Sequence, residues 1–361
     1  MFAGYTRRVI DTEARLAALL PQIRNAGWVA VDTEADSLHN YPEKVCLIQI
    51  STAAGDELVD PLAGLNLDAL LEALTGHELI LHAADYDLRM LLKHHRFVPG
   101  AIFDTMLAAR LLGEKQFGYS HLVDKFLGVK LEKGPQKANW ALRPLTERMA
   151  AYARNDTRYL KPLTDQLKPQ LSALGRLGWH QETCARLIAE CTQPRPSDDD
   201  SVWRVKGSHA LGRAALAVLR ALWQWREAEA VAANRPPFFV LSHEVLVNLA
   251  DAAASHQPVE PLLPRHLSER RRAGVQAALA DGLRTPPEQR PRLPERTHYW
   301  PNEAERRRSV ELQHRRDARA QELNLDPTLI ASRSTLAELA QNWDLNAPRL
   351  MNWQRELLQP K

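Results

Sequence analysis

The run Val29-Ala30-Val31-Asp32-Thr33-Glu34 constrains the fold more than any other stretch of this chain. Apolar residues lead straight into two carboxylates separated by one position. In a strand, residues i and i+2 project to the same face. Asp32 and Glu34 therefore point side by side at the end of a strand. Acids held that close repel each other unless a cation lies between them, and hard divalent cations take oxygen ligands of this kind. A strand end with two solvated acids has the same local sequence, so the rest of the chain decides between the readings.

Val45–Ser51 reads as a nearly continuous strand, and Glu57–Asp60 as a short one stopped by Pro61. With the opening strand these predict an antiparallel meander before the first crossover helix. Leu67–Leu74 reads as a helix, Leu79–Leu81 as a fourth strand, Leu88–Lys93 as a helix and Ala101–Asp104 as a fifth strand. A helix over 11–25 precedes the set, and Pro21 is expected to kink or end it. The pattern predicts an α/β fold with a mixed sheet covered by helices on both faces, followed by all-α bundles.

At 361 residues the chain exceeds one small core, so two or three domains are expected. The boundaries read as an α/β domain over 1–191, a polar linker over 192–207, a helical module over 208–286, a Pro-rich linker over 287–301 and a last helical module over 302–361. The acidic triplet Asp198–Asp200 reads as solvated linker. Net charge is asymmetric: residues 1–200 carry 23 Lys+Arg against 26 Asp+Glu, and residues 201–361 carry 24 against 18. Twenty-two of those last 24 cations are arginine, whose planar fork suits phosphate. A GC-rich genome gives the same arginine bias, so the sign asymmetry is the firmer signal. Cys46, Cys184 and Cys191 are too few for a disulfide framework and point to a reducing cytoplasm. No apolar run approaches the ~20 residues of a membrane span, and Met1–Arg8 lacks a signal-peptide core.

Two further acidic positions stand out. Asp87 follows the fourth strand and opens a helix, a placement that also suits an N-terminal cap. Tyr152 and Asp156 lie at i and i+4 on one helix face, as would a half-buried tyrosine beside a surface acid.

Together, Asp32-x-Glu34, Tyr86-Asp87 after a strand, and Tyr152-x-x-x-Asp156 on a late helix resemble the three exonuclease motifs of the DEDD superfamily, in its DEDDy branch. Tyr41-Pro42 before Val45–Ile50, His82-Ala83, Leu127-Gly128-Val129, Lys133, Gln136, Trp140 and Arg143-Pro144-Leu145 extend the resemblance to ribonuclease D over about residues 5–175. Trp225-Arg226-Glu227, Asn234-Arg235-Pro236 and Val240-Leu241 resemble a helicase-and-RNase-D C-terminal (HRDC) module. Leu325-Asp326-Pro327 with Ile330–Arg333 resembles the C-terminal extension of bacterial ribonuclease D, read as a second, degenerate HRDC-like bundle.

The resemblance implies a ribonuclease H-like fold and a cytoplasmic, monomeric 3′–5′ exoribonuclease that trims RNA 3′ ends such as those of tRNA precursors. It implies two divalent ions, magnesium or manganese, held by Asp32, Glu34, Asp87 and Asp156, with Asp32 bridging both. Such ions activate the water and stabilise the leaving oxygen. Tyr152 would orient the water, since a phenol with pKa near 10 is a poor base at pH 7. After Glu34 the chain reads Ala-Asp-Ser-Leu-His-Asn, where many members carry an aromatic and a basic residue. Candidates for the terminal base are therefore Leu38, His39 and Tyr41, and Lys44 is a candidate phosphate contact. His82, Lys133, Lys137 and Arg143 are expected near the substrate channel, and Trp140 in the core. Clusters Arg270–Arg272, Arg306–Arg308 and Arg315-Arg316 offer phosphate contacts or solvated faces paired with glutamate. The alternatives are a DNA exonuclease, single-stranded DNA being a possible ligand, and an RNA-binding scaffold, which the full set of acids disfavours. A carbohydrate hydrolase is disfavoured because acids two apart on a strand sit too close for an inverting pair.

Overall fold

The computed structural model describes residues 9–193, 199–293 and 299–359. The side chains of Asp198–Asp200 and the segment Met1–Arg8 lie outside the described residues. The chain forms two compact units. One runs to Ala35, over Val45–Gln193 and from Tyr299 onward; the other takes Asp36–Lys44 and the segment between Gln193 and Tyr299.

The first unit begins β1 (Val9–Ile10), α1 (Glu13–Arg24), β2 (Val29–Ala35), β3 (Val45–Thr52), β4 (Gly55–Val59), α2 (Asp68–Thr75), β5 (Glu78–Leu81), α3 (Asp85–His95) and β6 (Ala101–Asp104). It continues through α4 (Thr105–Leu111), α5 (Tyr119–Leu127), α6 (Glu147–Arg158), α7 (Leu160–Ala173) and α8 (Leu177–Thr192). The six strands lie in the order β1-β4-β3-β2-β5-β6. β2, β3 and β4 form the expected antiparallel meander, while β5 and β6 run parallel to β2. The two-residue β1 escapes the sequence reading because it is too short to carry a periodic pattern. Pro21 neither ends nor interrupts α1, whose last turn is anchored by fully buried Ile23.

β2 is central, and its two sides pair unequally. β3 accompanies it from Ala30 to Ala35, with a register shift after Glu34. β5 pairs only at Val29 and Ala30 and then turns away into α3. The end of β2 therefore loses its neighbour on one side, and a crevice opens at the carboxyl ends of the parallel strands, the usual site position in open α/β sheets. Val29 and Val31 face one apolar cluster, with Leu16, Leu70 and Leu88 from α1, α2 and α3. Ala30 faces the opposite side, toward Leu160 of α7. Alternation places Asp32 and Glu34 on this second side, where α6 buries Met149, Ala150 and Ala153 against Leu47 and Trp140. Trp140 is 1% exposed, a core residue as expected.

Arg143, expected near the substrate channel, is engaged within the fold. Its guanidinium is bidentate to Asp60 (Nε–Oδ2 2.5 Å, Nη2–Oδ1 2.7 Å) and also donates to the carbonyls of Cys46, Trp140 and Leu142. The fork ties the loop before α6 to β3 and the end of β4, so its role is structural.

In the second unit the short α9 (Asp199–Val202) is followed by α10 (Arg213–Ala233), α11 (His243–Ala254) and α12 (Glu269–Arg284), and these last three pack around Leu216, Leu219, Leu246, Leu249 and Val275. The C-terminal helices α13 (Glu303–Leu323), α14 (Pro327–Ile330), α15 (Arg333–Gln341), α16 (Trp343–Asn346) and α17 (Asn352–Leu358) belong to the first unit. They share one apolar cluster with Ala108, Leu122, Leu163 and Leu167, and Trp353 stacks on Trp179 of α8 at 5.0 Å. The segment expected as a separate module over 302–361 thus completes the core of the first. Among the described residues no helix is long and apolar enough to cross a membrane.

Replacing Arg143 by alanine strands the nearly buried Asp60 carboxylate without its partner. The expected cost is about 2 kcal/mol or more, read as a lower denaturant midpoint at unchanged slope.

Candidate active site

A cleft of about 830 Å³ in the first unit is lined by Asp32, Thr33, Glu34, His82, Asp87, Tyr119, Lys133, Gly134, Gln136, Tyr152 and Asp156, among others. Oxygens of Asp32, Glu34 and Asp156 lie within 4.8 Å of one another. Two of these acids come from the end of β2. The third comes from α6, one turn beyond Tyr152, and Thr146 caps that helix by accepting from the Met149 amide.

Asp87 reaches the cleft differently. α3 starts at Asp85, so Asp87 sits in its first turn rather than at its cap. Its Oδ1 accepts from the Thr33 amide (3.0 Å) and the Thr33 hydroxyl (2.5 Å). The residue between the two β2 acids thus holds the acid of α3. Nothing in the sequence marked Thr33, because strand alternation turns it to the other face. Asp32 in turn accepts from the Gln49 amide of β3 at 3.3 Å.

Burial and crowding raise every one of these acids. Burial, then the charges of Asp87, Asp156 and Glu34, push Asp32 well above the usual carboxylate range. Glu34 rises to about 9 through burial and the charges of Asp156 and Asp87. Asp156 rises to about 7, mainly through burial, with the Tyr152 hydrogen bond opposing. Asp87 rises to about 6 through burial, with the Thr33 hydrogen bonds opposing. Converging oxygen donors that repel each other when ionised suit a divalent cation, which would relieve that repulsion.

Tyr152 is held on three sides. Its hydroxyl donates to Asp156, and Gln136 donates to it. Burial and the Asp156 charge raise its pKa, so it stays protonated at neutral pH. Gly134 lies flat against its ring: a Cβ there would fall 1.5 Å from Tyr152 Cδ2. The sequence showed Gly134 only as a turn residue beside Pro135. Tyr119, also missed, walls the cleft while its hydroxyl donates to the Asn155 carbonyl at 2.6 Å.

A model of 3′–5′ exonuclease domains matches residues 7–172, and a model of HRDC domains matches residues 215–255. A ribonuclease D of Xanthomonas oryzae pv. oryzae is 31% identical over 349 residues, covering 92% of this chain and 91% of that protein. The chain belongs to the ribonuclease D family. A ribonuclease D of Zymomonas mobilis is 36% identical over 251 residues, 67% of this chain; that match spans 63% of the relative's length, a little under two thirds. The fold also matches Escherichia coli RNase D, described as an exoribonuclease involved in structured RNA processing, at a TM-score of 0.73 and 24% identity over 98% of this chain and 92% of that one.

Of the residues expected near the substrate of a ribonuclease D, the cleft wall contains His82 and Lys133 but not Lys137. Leu38, His39, Tyr41 and Lys44 belong to the second unit. There the Tyr41 hydroxyl donates to Glu227 at 2.5 Å, and burial followed by that bond pushes its pKa to about 12. The Tyr41 amide donates to Asn234, the amides of His39 and Lys44 donate to Asp36, and Leu38 is exposed.

The arginine clusters are largely engaged within the chain. Arg272, Arg306, Arg308 and Arg316 donate to backbone carbonyls, with Arg316 buried. Arg270 and Arg271 pair with Glu229, Arg307 with Glu303 and Arg315 with Glu311. The side chains of Arg270 and Arg307 are still about three-quarters exposed.

Because the folded acids titrate above their unfolded values near 4, the native state binds more protons between about pH 4 and 9. Stability without metal therefore falls as pH rises through that window. Thermal melts in EDTA should drop by about 3 °C or more from pH 5 to 8.5, and magnesium should restore the loss at the high end. Asp32→Asn should flatten the slope and melt no lower than the parent in EDTA. A flat parent profile contradicts the electrostatic picture.

Proposed function

We propose that this protein is a 3′–5′ exoribonuclease that hydrolyses phosphodiester bonds at 3′-hydroxyl RNA ends with two divalent ions, magnesium or manganese, and releases 5′-mononucleotides. Structured RNAs with 3′ extensions, tRNA precursors among them, are the substrate class we infer from the family. The observation that carries the reading is the convergence of Asp32, Glu34 and Asp156 within 4.8 Å, beside a protonated Tyr152. Three buried cysteines, too few for a disulfide framework, fit a reducing compartment, and we place the protein in the cytoplasm.

Bound divalent ions supply Lewis acidity, making water nucleophilic at neutral pH and stabilising the leaving oxygen. Asp32 feels the charge of all three other acids, and it would be the residue shared in holding the ions. Glu34 and Asp156 would hold a cation together with Asp32, and Asp87, steadied by Thr33, would support the second. The Tyr152 hydroxyl, set by Gln136 and Asp156, orients the water and does not act as its base. Lys133 on the cleft wall is the phosphate contact we favour within this unit.

A 3′-hydroxyl RNA incubated with magnesium should yield 5′-mononucleotides from its 3′ end, and EDTA should stop the release. Asp32→Asn should lower kcat by about a thousandfold or more; equal release by parent and variant sinks the reading. A matched DNA strand cleaved faster than the RNA favours the DNA alternative. Tyr152→Phe should lower kcat about a hundredfold with KM little changed. Gly134→Ala, whose added Cβ displaces that ring, should produce the same pattern.

A further inference from the structure

His82 directly follows β5 and lines the acid cleft, with its ring against Tyr119 at a centroid distance of 5.4 Å. Its Nδ1 lies 2.9 Å from the Thr105 hydroxyl. That hydroxyl already donates its single proton to the Leu81 carbonyl at 3.1 Å. A threonine hydroxyl has one proton to give, so it accepts from His82, and Nδ1 carries the ring proton. Burial lowers the His82 pKa, so the ring is neutral at pH 7 and Nε2 is a bare acceptor. Nε2 makes no hydrogen bond among the described residues. Thr105 is fully buried and fixes the ring from behind.

The other polar groups around the cleft differ from His82: Thr33 is engaged with Asp87, Glu132 is an exposed acid, and Ser120 carries an exposed, freely rotating hydroxyl. Asp32, Glu34 and Asp156 are the acids that would hold a cation. Lys133 only donates. The Tyr119 and Tyr152 hydroxyls have given their protons to Asn155 and Asp156, and Gln136 is engaged with Tyr152. A neutral, orientationally locked acceptor suits a neutral donor and not a phosphate. Beside the acids, the part of a nucleic acid that must come to rest is the sugar attached to the scissile phosphate. The 2′-hydroxyl is the donor that separates RNA from DNA there.

Resting on the exoribonuclease reading of the cleft, we propose that His82 is a specificity-determining residue whose Nε2 accepts a hydrogen bond from the 2′-hydroxyl of a ribose at the 3′ end of the substrate. The locked Thr105–His82 pair makes the cleft select ribose over deoxyribose.

The test is a cycle between protein and substrate. Parent, His82→Ala, His82→Phe and His82→Gln are assayed with magnesium on an all-ribose oligonucleotide and on versions carrying one 2′-deoxy sugar at the last, second-last or third-last position. For the parent, one deoxy position should lower kcat/KM by about 3- to 10-fold, the range of one neutral hydrogen bond. In His82→Ala and His82→Phe the all-ribose substrate should fall by a similar factor, and the deoxy substitution should then have no further effect. His82→Gln, which keeps an acceptor, should recover part of the discrimination. Titration with adenosine and 2′-deoxyadenosine 5′-monophosphate gives a binding readout independent of turnover: the parent should prefer the ribose form and His82→Phe should not.

Loss by the same factor on ribose and deoxyribose substrates, or an effect that tracks base identity rather than the sugar, overturns the proposal. Melting temperatures of the variants separate a folding defect, which would slow every substrate alike, from loss of selectivity. A parent that releases nothing from any RNA would overturn the exoribonuclease reading instead, a result distinct from activity without His82-dependent selectivity.

Discussion

Mutual repulsion among four carboxyl groups around one cleft is the constraint to which the first unit is built. Burial and like charge raise all four, and Asp32 feels each of the other three. A flexible chain would relieve this by swinging the acids into water. Here each acid is carried by a rigid element. Asp32 and Glu34 extend from a central strand, Asp156 rides on a helix capped by Thr146, and Asp87 is clamped by both polar groups of Thr33. The arrangement stores electrostatic strain that a divalent cation would release.

A second buried acid makes the cleft rigid from below. Asp104, fully buried at the end of β6, accepts from the amides of Ala83 and Ala84 and from those of Met106 and Leu107. One carboxylate thus caps α4 and pins the turn between His82 and α3. That turn puts Ala83 at φ 57°, a left-handed conformation that a residue with a Cβ adopts only when its surroundings impose it. The buried His180 Nε2–H donates to the Asp104 carbonyl at 3.0 Å, tying α8 to the same point. From there α8 leads to Trp179 and the C-terminal helices. A single polar anchor therefore links the cleft wall to the segment that completes the core.

Much of this was legible in the residues themselves. Strand alternation alone puts Asp32 and Glu34 on one face, and helical spacing alone puts Tyr152 and Asp156 together. The meander and the crossover helices follow from apolar period and turn residues. Other features were not legible because they depend on partners distant in sequence. Arg143 carries the same charge as a channel arginine, and only the position of Asp60 makes it a structural fork. Thr33 faces away from the acids by alternation and becomes important because α3 happens to pass that face. The arginine runs of the C-terminal half looked like phosphate contacts, but carbonyls and glutamates one turn away engage most of them. Periodicity also could not tell whether the last helices would make their own core, since an amphipathic stripe does not name its partner.

Residue type and local spacing by themselves determined the acids, the tyrosine and the elements that carry them, because strand and helix periods are properties of neighbouring residues. Tertiary structure alone decided three other things: that Asp87 meets β2 through Thr33, that Gly134 and Gln136 frame Tyr152, and that Thr105 holds the ring of His82 on the cleft wall. Each depends on which groups meet across long sequence separations and on how a limited number of protons is shared among them. Thr105, with one proton already given to Leu81, sets the tautomer of His82. No local pattern encodes that choice, because it belongs to three side-chain and backbone groups brought together only by the packing of β5 against β6.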